Sequence, residues 1–235
     1  MYQLKNEHTE TLSFETHDAV FKPTGTTTLL LESVKENIEQ PGRLLDLGCG
    51  IGVVGIALAK YKLASSPLYA SDISEEAVKL TELNARQNSC EVVAKAGKVF
   101  EPWSGYRFDY IVDDVSGIAE DIAAVSDWFK NVSCESGYDG SILTREVISR
   151  ASAFLTENGK LFFPVISLSN TRVILEEANI FFKAVKLLKR KTWPLPNDLK
   201  PHMDMLLEMK EKGVISFEEK FGIFTWTTDI YMAHN

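Results

Sequence analysis

The chain has 235 residues, of which 45% are hydrophobic and 25% charged, and its 25 basic and 33 acidic residues give a net charge of −8. A chain of this length buries about 70–75% of its unfolded surface, so it can form a core without disulfides or a structural metal. Its apolar content excludes an intrinsically disordered chain. The acidic balance disfavours non-specific binding to a phosphate backbone, which requires clustered Lys and Arg. We therefore expect a small-molecule or peptide substrate and no nucleic-acid partner.

Cysteine and histidine usage points to a reduced protein without metal. Cys49, Cys90 and Cys134 are far apart and form no Cys-x-x-Cys pair, and the four histidines lack zinc-ligand spacing. The first ten residues are polar, which is unlike a signal peptide, and no apolar run has the length of a membrane span. We expect a cytoplasmic protein with no membrane association, and the sequence leaves the oligomeric state open.

Strand and helix signals alternate along most of the chain. In chain order the patterns predict a strand at 42–47, a helix at 52–60, a strand at 67–71, a helix at 75–88, strands at 91–95 and 108–113, a helix at 144–155, a strand at 161–166, a helix at 170–178, and strands at 184–188 and 223–232. This alternation predicts an α/β fold with a doubly wound, mostly parallel sheet of seven strands. In such a sheet, ligands bind at the carboxyl ends of the strands.

Two segments fall outside this alternation. Residues 1–19 are expected to be an N-terminal extension, and residues 20–235 a single domain. The prolines and the Met/Leu stripe of residues 192–213 predict a loop and an amphipathic helix inserted before the last strand. This insertion is interpreted either as a packing element or as a lid over the substrate.

A glycine-rich loop follows the first strand of this alternation. It reads Asp46-Leu47-Gly48-Cys49-Gly50-Ile51-Gly52-Val53-Val54-Gly55. The spacing Gly50-x-Gly52-x-x-Gly55 matches the dinucleotide-binding fingerprint, but two further residues then separate the strand from the first glycine. The alternative register begins at Asp46, whose carboxylate would repel a pyrophosphate and attract an ammonium or a sulfonium group. The second register is favoured, and the first keeps a nicotinamide-dependent dehydrogenase as an alternative.

A second acidic residue ends the next strand. Asp72 lies 20 residues after Gly52, and a carboxylate at this position can accept hydrogen bonds from both hydroxyls of a ribose. This role suits a dinucleotide or any other nucleoside cofactor. A purely structural role as a helix cap is less favoured, because Ser74 already stands at the cap position.

The pattern Asp46-x-Gly48-x-Gly50-x-Gly52 resembles motif I of class I S-adenosylmethionine-dependent methyltransferases. Three further segments resemble the small-domain members of that superfamily, the release-factor glutamine methyltransferases and the RNA guanine methyltransferases. These segments are Val20–Leu30 with Phe21, Pro23, Thr27 and Leu30 at the matching positions, Phe108–Val112, and Gly137–Gly140. The resemblance covers about residues 20 to 190 and implies a Rossmann-like fold with S-adenosyl-L-methionine (AdoMet) as cofactor.

The resemblance also implies which residues bind the cofactor. These are Thr24, Thr27, Asp46, Gly48, Cys49, Gly50, Gly52, Asp72, Ile73, Lys98, Val99 and Asp114. Ile73 is expected to pack on the adenine. Relatives often have an acidic residue where this chain has Lys98, so only the backbone of Lys98 and Val99 is expected to contact the adenine edge.

The chain departs from these families after the strand at 108–113. Where they have Asn-Pro-Pro-Tyr, this sequence reads Asp114-Val115-Ser116-Gly117, and Asp113 precedes it. Carboxylates at this point favour a basic nitrogen over a neutral amide and can accept its proton. Asp114, Asp113 and Ser116 are therefore the candidate catalytic residues. Two other interpretations stay open, namely that the acids are solvated loop residues and that the catalytic site is lost.

The sequence thus predicts an AdoMet-dependent enzyme that methylates a basic nitrogen of a small molecule or peptide. About 20 residues precede the matching segment, which is too few for the release-factor-binding domain of the glutamine methyltransferases. The alternatives are an RNA or ribosomal-protein methyltransferase and a non-catalytic AdoMet-binding protein.

Overall fold

The computed structural model describes residues 1–4 and 11–235, which form ten strands and seven helices. The strands are β1 (Tyr2–Leu4), β2 (Leu12–Phe14), β3 (Leu44–Leu47), β4 (Leu68–Asp72), β5 (Val92–Ala96), β6 (Phe108–Asp113), β7 (Leu155–Ile166), β8 (Ala184–Pro194), β9 (Glu218–Lys220) and β10 (Ile223–His234). The helices are α1 (Gly25–Asn37), α2 (Val53–Lys60), α3 (Glu75–Gln87), α4 (Glu120–Val125), α5 (Ile142–Ala151), α6 (Thr171–Phe181) and α7 (Met203–Glu211).

The central sheet has the strand order β5-β4-β3-β6-β7-β10-β8, and the short strand β9 pairs with β10. Neighbours from β5 to β7 are parallel, whereas β10 is antiparallel to both β7 and β8. The strand order reverses between β4 and β6, on either side of β3. The predicted doubly wound, mostly parallel fold is confirmed, with β9 as an eighth strand that the sequence did not predict.

Hydrophobic cores lie on both faces of this sheet, as parallel strands require. Successive residues of β3 point to opposite faces, so Leu44 belongs to the core that includes α1 and α2, while Leu45 belongs to the core that includes α5 and α6. All four residues of β3 are buried. The loop that follows β3 is therefore held at the centre of the sheet.

Most predicted elements lie close to their observed bounds, but β7 begins six residues before the predicted strand, and two further differences are informative. Helix α1 was not predicted, because its first turn (Gly25-Thr26-Thr27-Thr28) has low helix propensity. It begins at a capping box in which Thr24 and Thr27 bond each other's backbone, and it buries Leu30 and Val34 completely. Strand β8 continues to Pro194, six residues beyond the predicted strand, because it pairs with β10 along its whole length.

The two segments outside the alternation pack against the rest of the domain. Strand β1 pairs antiparallel with β2, and Leu12 and Phe14 of β2 are buried in the same core as α1. In the predicted insertion, α7 buries Leu206 and Met209 in a third cluster that also contains Trp226. Among residues 1–4 and 11–235, no helix combines the length and apolar character needed to cross a membrane. Nor do these residues contain a cluster of three His, Cys, Asp or Glu side chains suited to a metal ion.

Candidate cofactor and acceptor site

The glycine-rich loop connects β3 to α2 at the carboxyl edge of the sheet. Gly48, Gly50 and Gly52 have φ angles of 74°, 53° and 84°. These angles lie in the left-handed region, where a residue with a side chain would be strained. A Cβ on Gly48 would also lie 3.0 Å from the backbone nitrogen of Val115. The amides of Gly48 and Cys49 both donate to the carbonyl of Ser71, at 2.8 and 3.0 Å. The loop therefore needs glycine and is fixed to the end of β4.

Asp46 lies beneath this loop and is almost completely buried. Its Oδ2 accepts a hydrogen bond of 2.9 Å from the amide of Gly55, while its Oδ1 has no partner among the described residues. Burial, with a smaller contribution from the negative charges of Asp114 and Asp72, raises the pKa of Asp46 from 3.8 to about 7, against the lowering effect of the Gly55 hydrogen bond. A buried acceptor without a donor, adjoining a cavity, fits a positively charged ligand that carries N–H groups.

Asp72 shapes the loop in addition to facing the cavity. Its Oδ2 accepts from the amide of Gly50 at 3.0 Å, and its Oδ1 accepts from the amide of Ser74 at 2.9 Å. Burial raises its pKa, against the lowering effect of these hydrogen bonds. Ser74 caps α3, as predicted from its position, through a 3.3 Å bond from the amide of Ala77 to its hydroxyl. Asp72 thus lies where the ribose-binding acid was predicted.

A cavity of about 670 Å³ opens at this edge of the sheet. Its volume is typical of small-molecule sites. Most predicted site residues line it, namely Thr24, Thr27, Asp46, Gly48, Cys49, Gly50, Asp72, Ile73, Lys98, Val99, Asp114 and Ser116. Gly52 and Asp113 do not line it, so the structure brings together all but two of the predicted set.

One end of the cavity carries an exposed apolar side chain, Ile73, which is 64% accessible to solvent. Nearby, the ammonium of Lys98 pairs with Glu146 at 3.1 Å, and the Lys98 amide donates to Glu101 Oε2 at 3.3 Å. Val99 adopts a left-handed φ of 48°. The Lys98 amide thus has a partner within the protein, and the expected contact of the Lys98 and Val99 backbone with the adenine edge stays a prediction.

Asp114 and α1 meet at the other end of the cavity. The Asp114 amide donates to the Leu47 carbonyl at 2.9 Å. Burial raises the Asp114 pKa to about 6, against the lowering effect of the nearby Thr27 hydroxyl. The Thr27 oxygen accepts from the Thr24 amide at 3.3 Å. The two predicted threonines are therefore bonded to each other next to Asp114.

Asp113 lies behind Asp114, away from the cavity, and is 1% exposed. Its Oδ1 accepts from the amide of Val115 at 3.1 Å, its Oδ2 is without a partner in the described part of the chain, and burial raises its pKa well above the usual value. The two adjacent acids alternate in direction because Asp113 is the last residue of β6. This placement does not support the predicted catalytic role of Asp113, which instead supports the loop.

Aromatic side chains form the wall of the cavity on the Asp114 side. Phe21 packs on Phe129 with ring centroids 5.0 Å apart, and Trp226 contacts Trp128 at 5.3 Å and Trp193 at 6.2 Å. Of these five residues, Phe21 lies in a segment that the sequence analysis selected for the site, and Trp193 lies in the insertion interpreted as a packing element or a lid. Trp128, Phe129 and Trp226 lie outside the selected segments. The five residues come from four parts of the chain far apart in sequence, so no local pattern could group them.

Comparisons with known proteins agree with this geometry. Residues 11–114 match the family model described as methyltransferase small domain. The chain is 28% identical over 155 residues to the release factor glutamine methyltransferase of Geobacter sulfurreducens, covering 64% of this chain and 54% of that one. It is 32% identical over 90 residues to the ribosomal protein L11 methyltransferase of Thermotoga petrophila, covering 38% and 33%. The chain thus spans about half, or less, of the curated relatives it matches.

A solved structure extends the comparison over the whole fold. The chain resembles a 16S rRNA N2 methyltransferase from T. thermophilus, solved in complex with AdoMet and guanosine, with a TM-score of 0.63. The sequence identity is 16%, and the match covers 100% of this chain and 50% of that one. The predicted class I methyltransferase fold is confirmed, and the predicted cofactor and enzyme class agree with the family.

One prediction is wrong. We expected no nucleic-acid partner from the acidic composition, yet proteins that resemble this chain are named for ribosomal protein, release factor and ribosomal RNA substrates. Net charge is a property of the whole surface, whereas recognition depends on a local patch. The substrates in the names of these relatives are macromolecules.

Proposed function

Since residues 11–114 belong to the methyltransferase small domain family, we propose that the chain is an AdoMet-dependent methyltransferase that acts on a basic nitrogen of a protein side chain. We call the part of the cavity lined by Asp46, Asp72 and Ile73 the cofactor half, and the part lined by Asp114 and the aromatic wall the acceptor half. Each half supports a part of this proposal. The half-buried Asp114 carboxylate lines the same cavity as the aromatic side chains, and this is the observation that carries the acceptor assignment.

The cofactor half suits AdoMet in its charge and its shape. Asp46 offers an unpartnered buried oxygen to the ammonium group of the ligand, and Asp72 is available for the ribose hydroxyls. The exposed Ile73 side chain gives the adenine an apolar surface. Bound AdoMet supplies a methyl group that its sulfonium activates. The residues of this half bind and orient the cofactor, which reduces the entropic part of the barrier.

The acceptor half suits a basic nitrogen. Aromatic faces attract a cationic group, and the Asp114 carboxylate accepts a hydrogen bond from it. With a pKa of about 6, Asp114 is close enough to neutrality to exchange a proton with the acceptor. For transfer to occur, the acceptor nitrogen would first give up a proton to Asp114 or to solvent, and its lone pair would then form the N–C bond while the methyl–sulfur bond breaks.

The names of the relatives support a protein acceptor, because the release factor and ribosomal protein L11 methyltransferases are named for proteins of translation. An RNA acceptor is the second candidate, favoured by the fold shared with the rRNA methyltransferase. One labelling experiment separates the two. Methyl-labelled AdoMet is incubated with the enzyme and an extract from a strain that lacks this gene, and the product is treated with protease or ribonuclease.

Asp114→Ala is the variant that tests the acceptor site. We expect labelling to fall about 100-fold, the scale of a lost proton-transfer group, while the Kd for AdoMet changes less than threefold. Asp121→Ala, which removes an exposed acid from the first turn of α4, is the matched control and should label normally. Normal labelling by Asp114→Ala would contradict the role of Asp114. If ribonuclease releases the label and protease does not, the acceptor is RNA and the proposed protein acceptor is wrong.

A further inference from the structure

Three polar side chains lie on one face of α3, behind the glycine-rich loop. Thr81, Asn84 and Asn88 follow the i, i+3, i+7 spacing of a helix face, and Thr81 and Asn84 are completely inaccessible to solvent. A buried amide or hydroxyl costs free energy unless it is hydrogen-bonded. The hydrogen-bond partners of these residues therefore indicate which parts of the protein this face of α3 holds in place.

Thr81 contacts the loop directly. Its hydroxyl donates to the carbonyl of Gly50 at 3.0 Å and lies 3.4 Å from the sulfur of Cys49. Its methyl group also packs closely on Gly52, where an added Cβ would lie 3.0 Å from the Thr81 Cγ2. Thr81 thus fixes both the orientation of the Gly50 peptide and the distance between the loop and α3.

Asn84 connects the loop to the N-terminal segment. Its Nδ2 donates to the carbonyl of Ile51 at 2.8 Å and to the carbonyl of Glu15 at 3.1 Å, and its Oδ1 accepts from the Glu15 amide at 2.7 Å. Both donor hydrogens of the amide are used in this way. The segment that leaves β2 is therefore held to the same side chain as the cofactor loop.

Asn88 lies one helical turn after Asn84 and contacts the N-terminal segment but not the glycine-rich loop. Its Nδ2 donates to the carbonyl of Ser13 at 2.9 Å and to the carbonyl of Asn84 at 2.8 Å. It shares the contact with the N-terminal segment, but none of its hydrogen bonds reaches residues 48–52. This difference makes Asn88 a natural control for Asn84.

We propose that Thr81 and Asn84 are positioning residues that hold the glycine-rich loop in its AdoMet-binding conformation. The inference rests on the proposed function and deepens it. Three glycines with positive φ leave the loop with many alternative conformations. The amides of Gly48, Cys49 and Gly50 are held by β4 through Ser71 and Asp72. The carbonyls of Gly50 and Ile51 are held by α3, so the loop is pre-organised before the ligand arrives.

The test compares four variants by titration calorimetry with AdoMet. Thr81→Val removes the hydroxyl but keeps the shape, and it should weaken binding at least fivefold. Thr81→Ser restores the hydroxyl and should bind within twofold of the unmodified protein. Asn84→Ala should weaken binding about tenfold, whereas Asn88→Ala should leave the affinity within twofold. Each variant is first shown to be folded by its thermal unfolding transition.

Two outcomes separate this inference from the proposed function. If Thr81→Val is folded and binds AdoMet as tightly as Thr81→Ser does, the positioning role is wrong. If the unmodified protein binds no AdoMet at millimolar concentration, the proposed function is wrong. In that case hydrogen exchange of residues 48–52 in the ligand-free protein still tests the inference, because Thr81→Val should exchange faster than Thr81→Ser. Equal exchange would overturn it.

Discussion

The chemistry of the site is set by carboxylates that the fold removes from water. Asp46 has a pKa of about 7, and burial is the main cause. Its ordinary value in an unfolded chain is 3.8, so the folded protein binds this proton more tightly than the unfolded chain does. The ligand-free protein therefore loses stability as the pH rises from about 4 through 7. A cationic ligand next to the ionised carboxylate offsets this loss.

This reasoning predicts how AdoMet affinity depends on pH. Between pH 5 and 7 the α-amino group of free AdoMet stays protonated, so the change is expected to come from the carboxylates of the site, chiefly Asp46 with a pKa of about 7 and to a lesser extent Asp114 with a pKa of about 6. The Kd should fall about tenfold per pH unit as Asp46 ionises below its pKa of about 7. Asp46→Asn should bind more weakly at pH 7 and lose most of the pH dependence. Calorimetry at four pH values measures the Kd and its pH dependence for both proteins. If the Kd of Asp46→Asn changes with pH as steeply as that of the unmodified protein, a group other than Asp46 is responsible.

At the scale of elements, the start of α1 joins the cofactor loop to the acceptor side. The Thr27 hydroxyl takes part in the capping box of the helix and also lowers the pKa of the Asp114 carboxylate. A valine at this position keeps the shape of the side chain and removes the hydroxyl. The start of α1 and the protonation of Asp114 therefore depend on the same group.

Thr27→Val is predicted to have two separable effects. Loss of the capping-box hydrogen bond from the Thr24 amide should lower the free energy of unfolding by about 1 kcal/mol. Loss of the hydroxyl that lowers the Asp114 pKa should move the acidic limb of the methyl-transfer pH profile upward from about 6. Thr28→Val is the matched control, since Thr28 bonds the Thr24 carbonyl at 3.3 Å in the same turn. A pH limb that stays in place in Thr27→Val would show that Asp114 does not control it.

Elements with a strong local pattern were predictable, and the wall of the acceptor half was not. The motif from Asp46 to Gly52 follows a buried strand, so its position and glycine requirement could be inferred from sequence alone. Asp113 and Asp114 looked equivalent in the sequence, and only the direction of β6 at its last residue separates them. Trp193 and Trp226 meet because β8 pairs with β10, a long-range register that no local pattern encodes.

At the scale of the molecule, a cofactor that binds the folded protein should increase its free energy of unfolding. The cavity lies at the centre of the sheet, between elements from most of the chain, so a ligand bound there is expected to stabilise the folded domain as a whole. At a ligand concentration of 100 times the Kd, this stabilisation is about 2.7 kcal/mol. For a domain of this size, 1 kcal/mol raises the Tm by about 2–4 °C.

Saturating AdoMet is therefore predicted to raise the Tm by about 5–10 °C, and a nicotinamide dinucleotide at the same concentration should raise it by less than 1 °C. The difference arises because a pyrophosphate would lie close to the carboxylates of Asp46 and Asp72, which repel it. Differential scanning calorimetry measures both shifts, with Asp46→Asn as the variant expected to lose most of the AdoMet effect. A larger Tm shift with the dinucleotide than with AdoMet would instead support the dinucleotide-binding register, Gly50-x-Gly52-x-x-Gly55, and a dehydrogenase function.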